Sequence, residues 1–292
     1  MKVSHKFRMG CGAIATIMAV AVASPTLAAD PPEWSAPVKP FRIAGNIYYV
    51  GTKGLAAYLI VSKQGAILLD GTLAKNAALI ERNIESLGIP LRRVRLLISD
   101  HAHGDHVGAL AQIKRDTGAR LLASAEDRWA LEHGISRGDT NYGVQRFPPV
   151  KVDGIVGEGQ TIRLGRIVLT AHLTPGHTPG CTSWSTTIQD KGAPRRVLFL
   201  CSITVAGNTL VGNRAYPRIV RDYRATFAKL AGMRTDILLT SHPEMADVLG
   251  REARREAGKA DAFVDPAALP ALVADFRKAF EHALAKAQKA AK

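Results

Sequence analysis

Residues 98 to 108 read Ile-Ser-Asp-His-Ala-His-Gly-Asp-His-Val-Gly, which places His101, His103, Asp105 and His106 within six positions. Imidazole and carboxylate donors at this density suit zinc and similar borderline metals. The group follows an apolar run, Val94 to Ile98, and precedes a helical pattern, so the end of a buried strand would hold its backbone while the turn fans its side chains towards one point. A solvated turn merely rich in histidine is the alternative, and four donors in so short a stretch weigh against it. Two more histidines stand directly after predicted strands: His177 in Thr174-Pro175-Gly176-His177-Thr178-Pro179-Gly180, and His242 in Thr240-Ser241-His242-Pro243. Six donors at strand ends are enough for two sites of three ligands each, with room for solvent. His172 lies inside a strand and reads as a packed or half-exposed strand residue. His5, His133 and His282 have no comparable setting.

The elements that must position these groups follow from hydrophobic pattern and turn residues. Short strands are predicted over 46–50, 56–61, 66–70, 94–98, 121–124, 161–164, 167–173, 182–188, 197–200 and 237–240. Helices are predicted over 74–87, 106–117, 125–131 and 218–230. Residues 30–40 are Pro-rich and read as an extended arm, and 134–149 as a long surface loop. The tail from Pro270 to Lys292, with Leu272, Phe276 and Phe280 spaced by four, predicts an amphipathic helix lying on the body.

Ahead of all this, Met1 to Arg8 carries three cations and no acid, Ala13 to Ala23 is apolar, and small residues surround Ala28 and Ala29. That is the form of a secretory signal peptide over 1–28, with cleavage near Ala28 or Ala29 and a periplasmic destination. An uncleaved amphipathic anchor is the alternative. Residues 30–292 then read as one α/β domain without internal linker or repeat, with no stable membrane insertion expected after signal removal. An exported protein meets an oxidising compartment, where Cys181 and Cys201 can pair.

Composition sets outer limits. The chain has 292 residues, 47% hydrophobic and 22% charged, which excludes a disordered tail, a collagen and a small disulfide scaffold. Its formal net charge is +14, or +11 once Lys2, Lys6 and Arg8 are removed with the signal. Such a charge raises the question of nucleic acid, but no interleaved basic and aromatic motif accompanies it, so no nucleic-acid partner is expected. The sequence has no Gly-rich phosphate loop, which argues against a nucleotide cofactor, and no Gly-x-Ser-x-Gly elbow for a serine nucleophile. A non-catalytic binding protein remains a further reading, against which the six intact donors stand.

The pattern His-x-His-x-Asp-His after a strand resembles the hallmark of the metallo-β-lactamase superfamily. Four further segments, Glu33 to Pro37, Gly45 to Gly51, Thr174 to Trp184 and Val211 to Pro217, resemble its subclass B3. The similarity runs from about Trp34 to Pro266. It implies a four-layer αββα sandwich with a metal site at one edge between two sheets. It implies one zinc on His101, His103 and His177 and a second on Asp105, His106 and His242. The implied activity is zinc-dependent β-lactam hydrolysis, conferring antibiotic resistance: metal-bound hydroxide, oriented by Asp105 as a catalytic group, attacks the lactam carbonyl. Ser202 and Thr204 are placed by the same resemblance to hydrogen-bond the carboxylate of an anionic substrate, with strand-end capping as the alternative for Thr204. No protein partner is implied.

The departures carry information. Many hydrolases of the superfamily have a bridging Asp where this chain reads Leu200-Cys201-Ser202-Ile203-Thr204. Ser202 therefore argues against the thioesterase, lactonase and nuclease branches, and an exported lactone or thioester hydrolase of the same fold is the alternative function. B3 enzymes usually carry Asp where Cys201 stands. A Cys181–Cys201 disulfide accounts for that, with free thiols or a zinc-ligating Cys201 as the other possibilities. Thr235 and Leu269 occupy the positions of another family disulfide. Gly104 and Ala109 also depart from the common residues, so the pocket near the metals is expected to differ in shape.

Overall fold

The structure, a computed structural model, describes residues 30–141 and 143–292. The signal-peptide segment lies outside the described residues. Seven strands form the first sheet in sequence order: β1 (Phe41–Ala44), β2 (Ile47–Tyr49), β3 (Tyr58–Ser62), β4 (Gly65–Leu69), β5 (Val94–Ile98), β6 (Arg120–Ser124) and β7 (Gly154–Val156). Helices α1 (Ala77–Ser86), α2 (Gly104–Val107), α3 (Leu110–Thr117) and α4 (Ala125–His133) fall between its later strands. The second sheet runs β12-β11-β10-β9-β8, built from β8 (Thr161–Leu164), β9 (Ile167–Leu173), β10 (Thr182–Asp190), β11 (Ala193–Leu200) and β12 (Ile237–Thr240). Helices α5 (Ile219–Ala231), α6 (Val248–Glu256) and α7 (Ala268–Ala290) complete the chain.

Strand alternation sorts the apolar side chains into two cores. In β4, Ala66 and Leu68 face one way and Ile67 and Leu69 the other; in β3, Leu59 opposes Tyr58 and Ile60. Leu59, Leu68, Leu97 and Leu121 pack against Ile80 and Ile84 of α1 and Leu110 and Ile113 of α3. Tyr58, Ile60, Ile67 and Leu69 join Leu169, Trp184 and Phe199 of the second sheet in the larger core. Tyr223, Phe227 and Phe280 extend that core to α5 and α7. The expected αββα layering results.

The pairing directions decide where the site lies. β4 and β5 are parallel, with Leu69 opposite Ile98, and β11 and β12 are parallel, with Leu200 opposite Thr240. Parallel strands end on the same side, so the loops after them gather there. β9 and β10 are antiparallel, and their pairing of Leu173 with Thr182 puts the 174–181 loop at that end too. Hydrogen bonds then stitch the two sheets together along it. Thr182 N donates to Asp100 O at 2.8 Å and Trp184 Nε1 to Ser99 O at 3.1 Å. Tyr58 Oη donates to Thr240 O at 2.7 Å, and Ala56 N to Ser241 O at 2.8 Å.

Several elements differ from the sequence expectation. The helix predicted over 106–117 begins at Gly104 and breaks at Gly108 and Ala109. The carbonyl of His106 accepts instead from Gly71 N at 2.7 Å and Thr72 N at 3.0 Å, because the loop after β4 crosses here. Gly108 permits the crossing, since a Cβ would lie 2.5 Å from Ala74 N. The 30–40 segment is not a free arm: Pro32–Trp34 form a 3₁₀ turn, tied down by Gly54 N to Glu33 O and Lys53 N to Ala36 O. Strands β1 and β7 and helix α6 were not resolved as elements by the pattern, being short or dominated by charge.

Helix α7 docks through a face slightly rotated from the expected one. Leu269, Val273, Phe280 and Leu284 are buried, whereas Leu272 and Phe276 are half-buried. The Phe280 ring lies 4.9 Å from Tyr223 and 5.6 Å from Phe227, centroid to centroid. Phe280→Ala is therefore expected to cost about 3–5 kcal/mol in a denaturant titration. Phe276→Ala should cost clearly less, and equal losses would contradict this docking face.

Candidate metal centre

Three imidazoles meet where the loop after β5 faces the loop between β9 and β10. His103 Nδ1 lies 3.1 Å from His101 Nε2 and 3.1 Å from His177 Nε2. The outward nitrogens are engaged elsewhere: His101 Nδ1 with Asp100 Oδ1 at 2.8 Å, and His177 Nδ1 with Thr204 O at 2.9 Å. Since those partners are acceptors, both Nδ1 atoms carry the proton and both Nε2 atoms present lone pairs. One hydrogen on His103 Nδ1 can serve only one of them. The cluster thus has more lone pairs than donors, a donor set that fits a cation.

Burial agrees with this. It is the largest influence on all three rings and lowers them, His101 to about 4 and His103 and His177 to about 3. Neighbouring histidines add to the lowering, while Asp100 opposes it at His101. All three are neutral near pH 7, the state in which imidazole ligates metals.

A second group adjoins the first. Asp105 Oδ2 lies 3.2 Å from His106 Nε2 and 3.4 Å from His242 Nε2, with His242 arriving from the end of β12. The rings of His101 and His106 are 4.3 Å apart. In each trio, one donor atom per residue lies within 4.8 Å of the others. His106 has the opposite tendency to its neighbours. Burial lowers its pKa, but Asp105, then Asp100, and Asp70 outweigh that and raise it to about 10. Positive charge is called for at this point, and in a metal-free chain a proton on His106 supplies it. A divalent cation would meet the same demand, so this donor set fits one as well.

Two acidic residues around these donors were not singled out from the sequence. Asp100 orients His101, a carboxylate–imidazole arrangement of the kind that fixes tautomer and ring position in metal sites. Asp70, at the end of β4, accepts from Asp100 N at 2.9 Å and places Oδ2 4.0 Å from the otherwise unpartnered Nδ1 of His106. Asp70 and Thr72 hold φ of 63° and 62°, a left-handed backbone that costs side-chain-bearing residues of the order of 1–3 kcal/mol each. An acid directly after a buried strand was the available signal for Asp70. Trp34, whose ring is 5.6 Å from that of His242, gave no signal apart from the resemblance.

The remaining expected residues also converge here. Ser202 Oγ and Thr204 Oγ1 are 3.0 Å apart, and Thr204 Oγ1 is 3.3 Å from His177 Nδ1. The 134–149 and 205–216 loops are clasped together by Asn141 N to Gly207 O and Thr209 N to Asp139 O. They reach the donor loops through Ser136 Oγ to Ala102 O at 3.2 Å and Asn208 Nδ2 to His177 O at 3.1 Å. Gly104 faces Phe147, and a Cβ there would find ordinary contact at 3.6 Å. His172 is a half-buried strand residue bonded to Ser185 Oγ at 2.7 Å, away from the cluster.

Cys181 and Cys201 form a disulfide with Cα atoms 5.9 Å apart. Cys201 Sγ sits 3.8 Å from His101 Nδ1, so the bridge backs directly onto the first trio. The pairing leaves no free thiolate at Cys201 for a metal.

Comparison with known proteins places this geometry. The model of the metallo-beta-lactamase superfamily matches residues 51–242. The chain is similar to the solved structure of BJP-1, a subclass B3 metallo-beta-lactamase of Bradyrhizobium japonicum, at 44% identity and a TM-score of 0.85, covering 89% of this chain and 99% of that one. It is similar to the FEZ-1 metallo-beta-lactamase from Legionella gormanii at 36% identity and a TM-score of 0.83, covering 87% and 98%. Among curated proteins, the uncharacterized protein YobT of Bacillus subtilis (strain 168) is 30% identical over 139 residues, 44% of this chain. That match spans about half of the relative, 54% of its length.

The disulfide closes a short loop, with a sequence separation of 20. Loop-closure entropy assigns such a bridge about 3 kcal/mol. A Cys181→Ser/Cys201→Ser double variant should lose that much in equilibrium unfolding under non-reducing conditions, and unchanged stability would show the bridge to be thermodynamically idle.

Proposed function

The chain belongs to the metallo-beta-lactamase superfamily, and from that premise we propose that it is a zinc-dependent β-lactam hydrolase of the B3 type. The observation that carries this reading is the pair of adjoining donor trios at one edge of the sandwich. The extent of the B3 likeness, nearly the full length of both compared structures, supports it. We take residues 30–292 as one domain and the protein as an exported, periplasmic enzyme conferring β-lactam resistance. Among the described residues no helix is long and apolar enough to cross a membrane.

In this reading His101, His103 and His177 hold one zinc and Asp105, His106 and His242 a second. Zinc, when bound, supplies Lewis acidity and a nucleophile from water at neutral pH. The chain's own groups do the rest. Asp105 is the only carboxylate among the six donors, and it accepts a hydrogen bond from the attacking water and orients it. Asp100 and the Thr204 carbonyl keep the His101 and His177 rings in the tautomer that presents Nε2 inward. Ser202 and Thr204, side by side next to His177, donate their hydroxyls to the substrate carboxylate. Hydrolysis adds water across the lactam C–N bond: the oxygen joins the carbonyl carbon, and the departing nitrogen takes a proton. The net positive charge of the chain favours approach of an anionic substrate.

The test is hydrolysis of one carbapenem and one cephalosporin by the protein without residues 1–28. A chelator should abolish turnover and added zinc restore it. Ser202→Ala should raise KM by about tenfold, the worth of a hydrogen bond to a charged group, with a smaller effect on kcat. Turnover insensitive to chelation, or none with two zinc ions bound, would overturn the assignment and move the search to lactones and thioesters.

A further inference from the structure

The six donors leave one buried carboxylate near the first trio without a role. Asp127, in the first turn of α4, is 4% exposed. It points away from its own helix into the gap between the two loops that carry the first trio. Its Oδ2 accepts from Ala102 N at 3.1 Å, the amide lying between His101 and His103. Its Oδ1 accepts from Thr178 Oγ1 at 3.4 Å, next to His177. The Gly180 backbone also favours the ionised form of the same carboxylate. Gly180 is glycine for this reason: a Cβ would fall 2.2 Å from Asp127 Cγ. Burial raises the pKa of Asp127 to about 7, Asp100 adding to the rise while Ala102, Thr178 and Gly180 oppose it. A carboxylate is thus kept in a costly place, and its partners all belong to ligand-bearing loops.

We propose that Asp127 is a positioning residue that clamps the 101–103 and 177–180 loops together and so sets the spacing of the first trio. The two loops are more than 70 residues apart in sequence and come from different sheets. Asp127 is the side chain that bonds to both, and it is itself anchored by the α4 cap, in which Ser124 Oγ accepts from Asp127 N at 3.2 Å. Groups that hydrogen-bond ligand side chains directly are worth about 10- to 100-fold in metal affinity, and a clamp on the backbone that carries two of the three ligands acts on the same spacing. The inference rests on the reading of His101, His103 and His177 as ligands.

The experiment is zinc affinity by competition with a chelating dye, read without any turnover. A His242→Ala background weakens the second trio and reports the first; a His177→Ala background does the reverse. Asp127→Ala should weaken zinc about 10- to 100-fold in the His242→Ala background and leave it unchanged in the His177→Ala background. Asp127→Asn keeps an acceptor for Ala102 N and should lose about tenfold or less, which also preserves the comparison if the alanine variant fails to fold. Ser124→Ala removes the hydroxyl that anchors the Asp127 backbone and should weaken zinc in the His242→Ala background by less than Asp127→Ala does. Equal zinc affinity with and without Asp127, or equal losses at both trios, would each overturn the clamp. Absence of zinc binding in the His242→Ala protein with Asp127 intact would overturn the ligand reading and the clamp together.

Discussion

His103 Nδ1 faces two imidazole nitrogens at 3.1 Å, and the hydrogen on His103 can satisfy one of them at a time. The other rings cannot supply a second hydrogen, because their protons are committed outward to Asp100 and to the Thr204 carbonyl. Lone pairs packed this closely in a buried place repel one another unless a cation sits among them. Much of the surrounding structure opposes that repulsion. The disulfide behind His101, the sheet-to-sheet bonds through Asp100 and Ser99, and the carboxylate of Asp127 all hold backbone that would otherwise spread.

The second trio solves a different electrostatic problem. Asp70, Asp100 and Asp105 surround His106, so that point is short of positive charge where the first trio is short of protons. The two deficits lie side by side, with His101 and His106 only 4.3 Å apart. Strain accompanies them. The left-handed backbones at Asp70 and Thr72 persist because both neighbouring amides, Gly71 N and Thr72 N, bond to His106 O, while Asp70 itself bonds Asp100 N. The loop after β4 and the segment after β5 therefore fix each other, and together they place His106.

The sandwich supplies stiffness by ordinary means. Strand alternation feeds two cores, and aromatic residues of α5 and α7 extend the larger one. The helices cover the outer faces, while the loops at the metal edge carry polar groups and also send Phe147, Leu210 and Tyr216 into the two cores. The 134–149 and 205–216 loops join to each other through main-chain bonds and to the donor loops through the Ser136 hydroxyl and the Asn208 amide.

Much of this was legible in the chain itself. Strand periodicity located β5, β8, β9 and β12 to the residue, because buried runs bounded by turn residues have few alternative readings. The density of donors between His101 and His106, and the placement of His177 and His242 after strands, pointed to metal chemistry without any fold. Two cysteines behind an export-type leader pointed to a bridge. What periodicity missed was set by contacts from elsewhere in the chain. The helix break at Gly108 arises from the crossing of the loop after β4, and the docking face of α7 is chosen by Tyr223 and Phe227. Asp100 and Asp127 look like unremarkable acids in sequence, since their partners are a ring nitrogen beside a remote disulfide and amides on distant loops. The sequence by itself determined which donors exist and that strands present them. Only the tertiary structure decided which donors meet, because parallel pairing of β4 with β5 and of β11 with β12 brings the ends of two sheets to one edge.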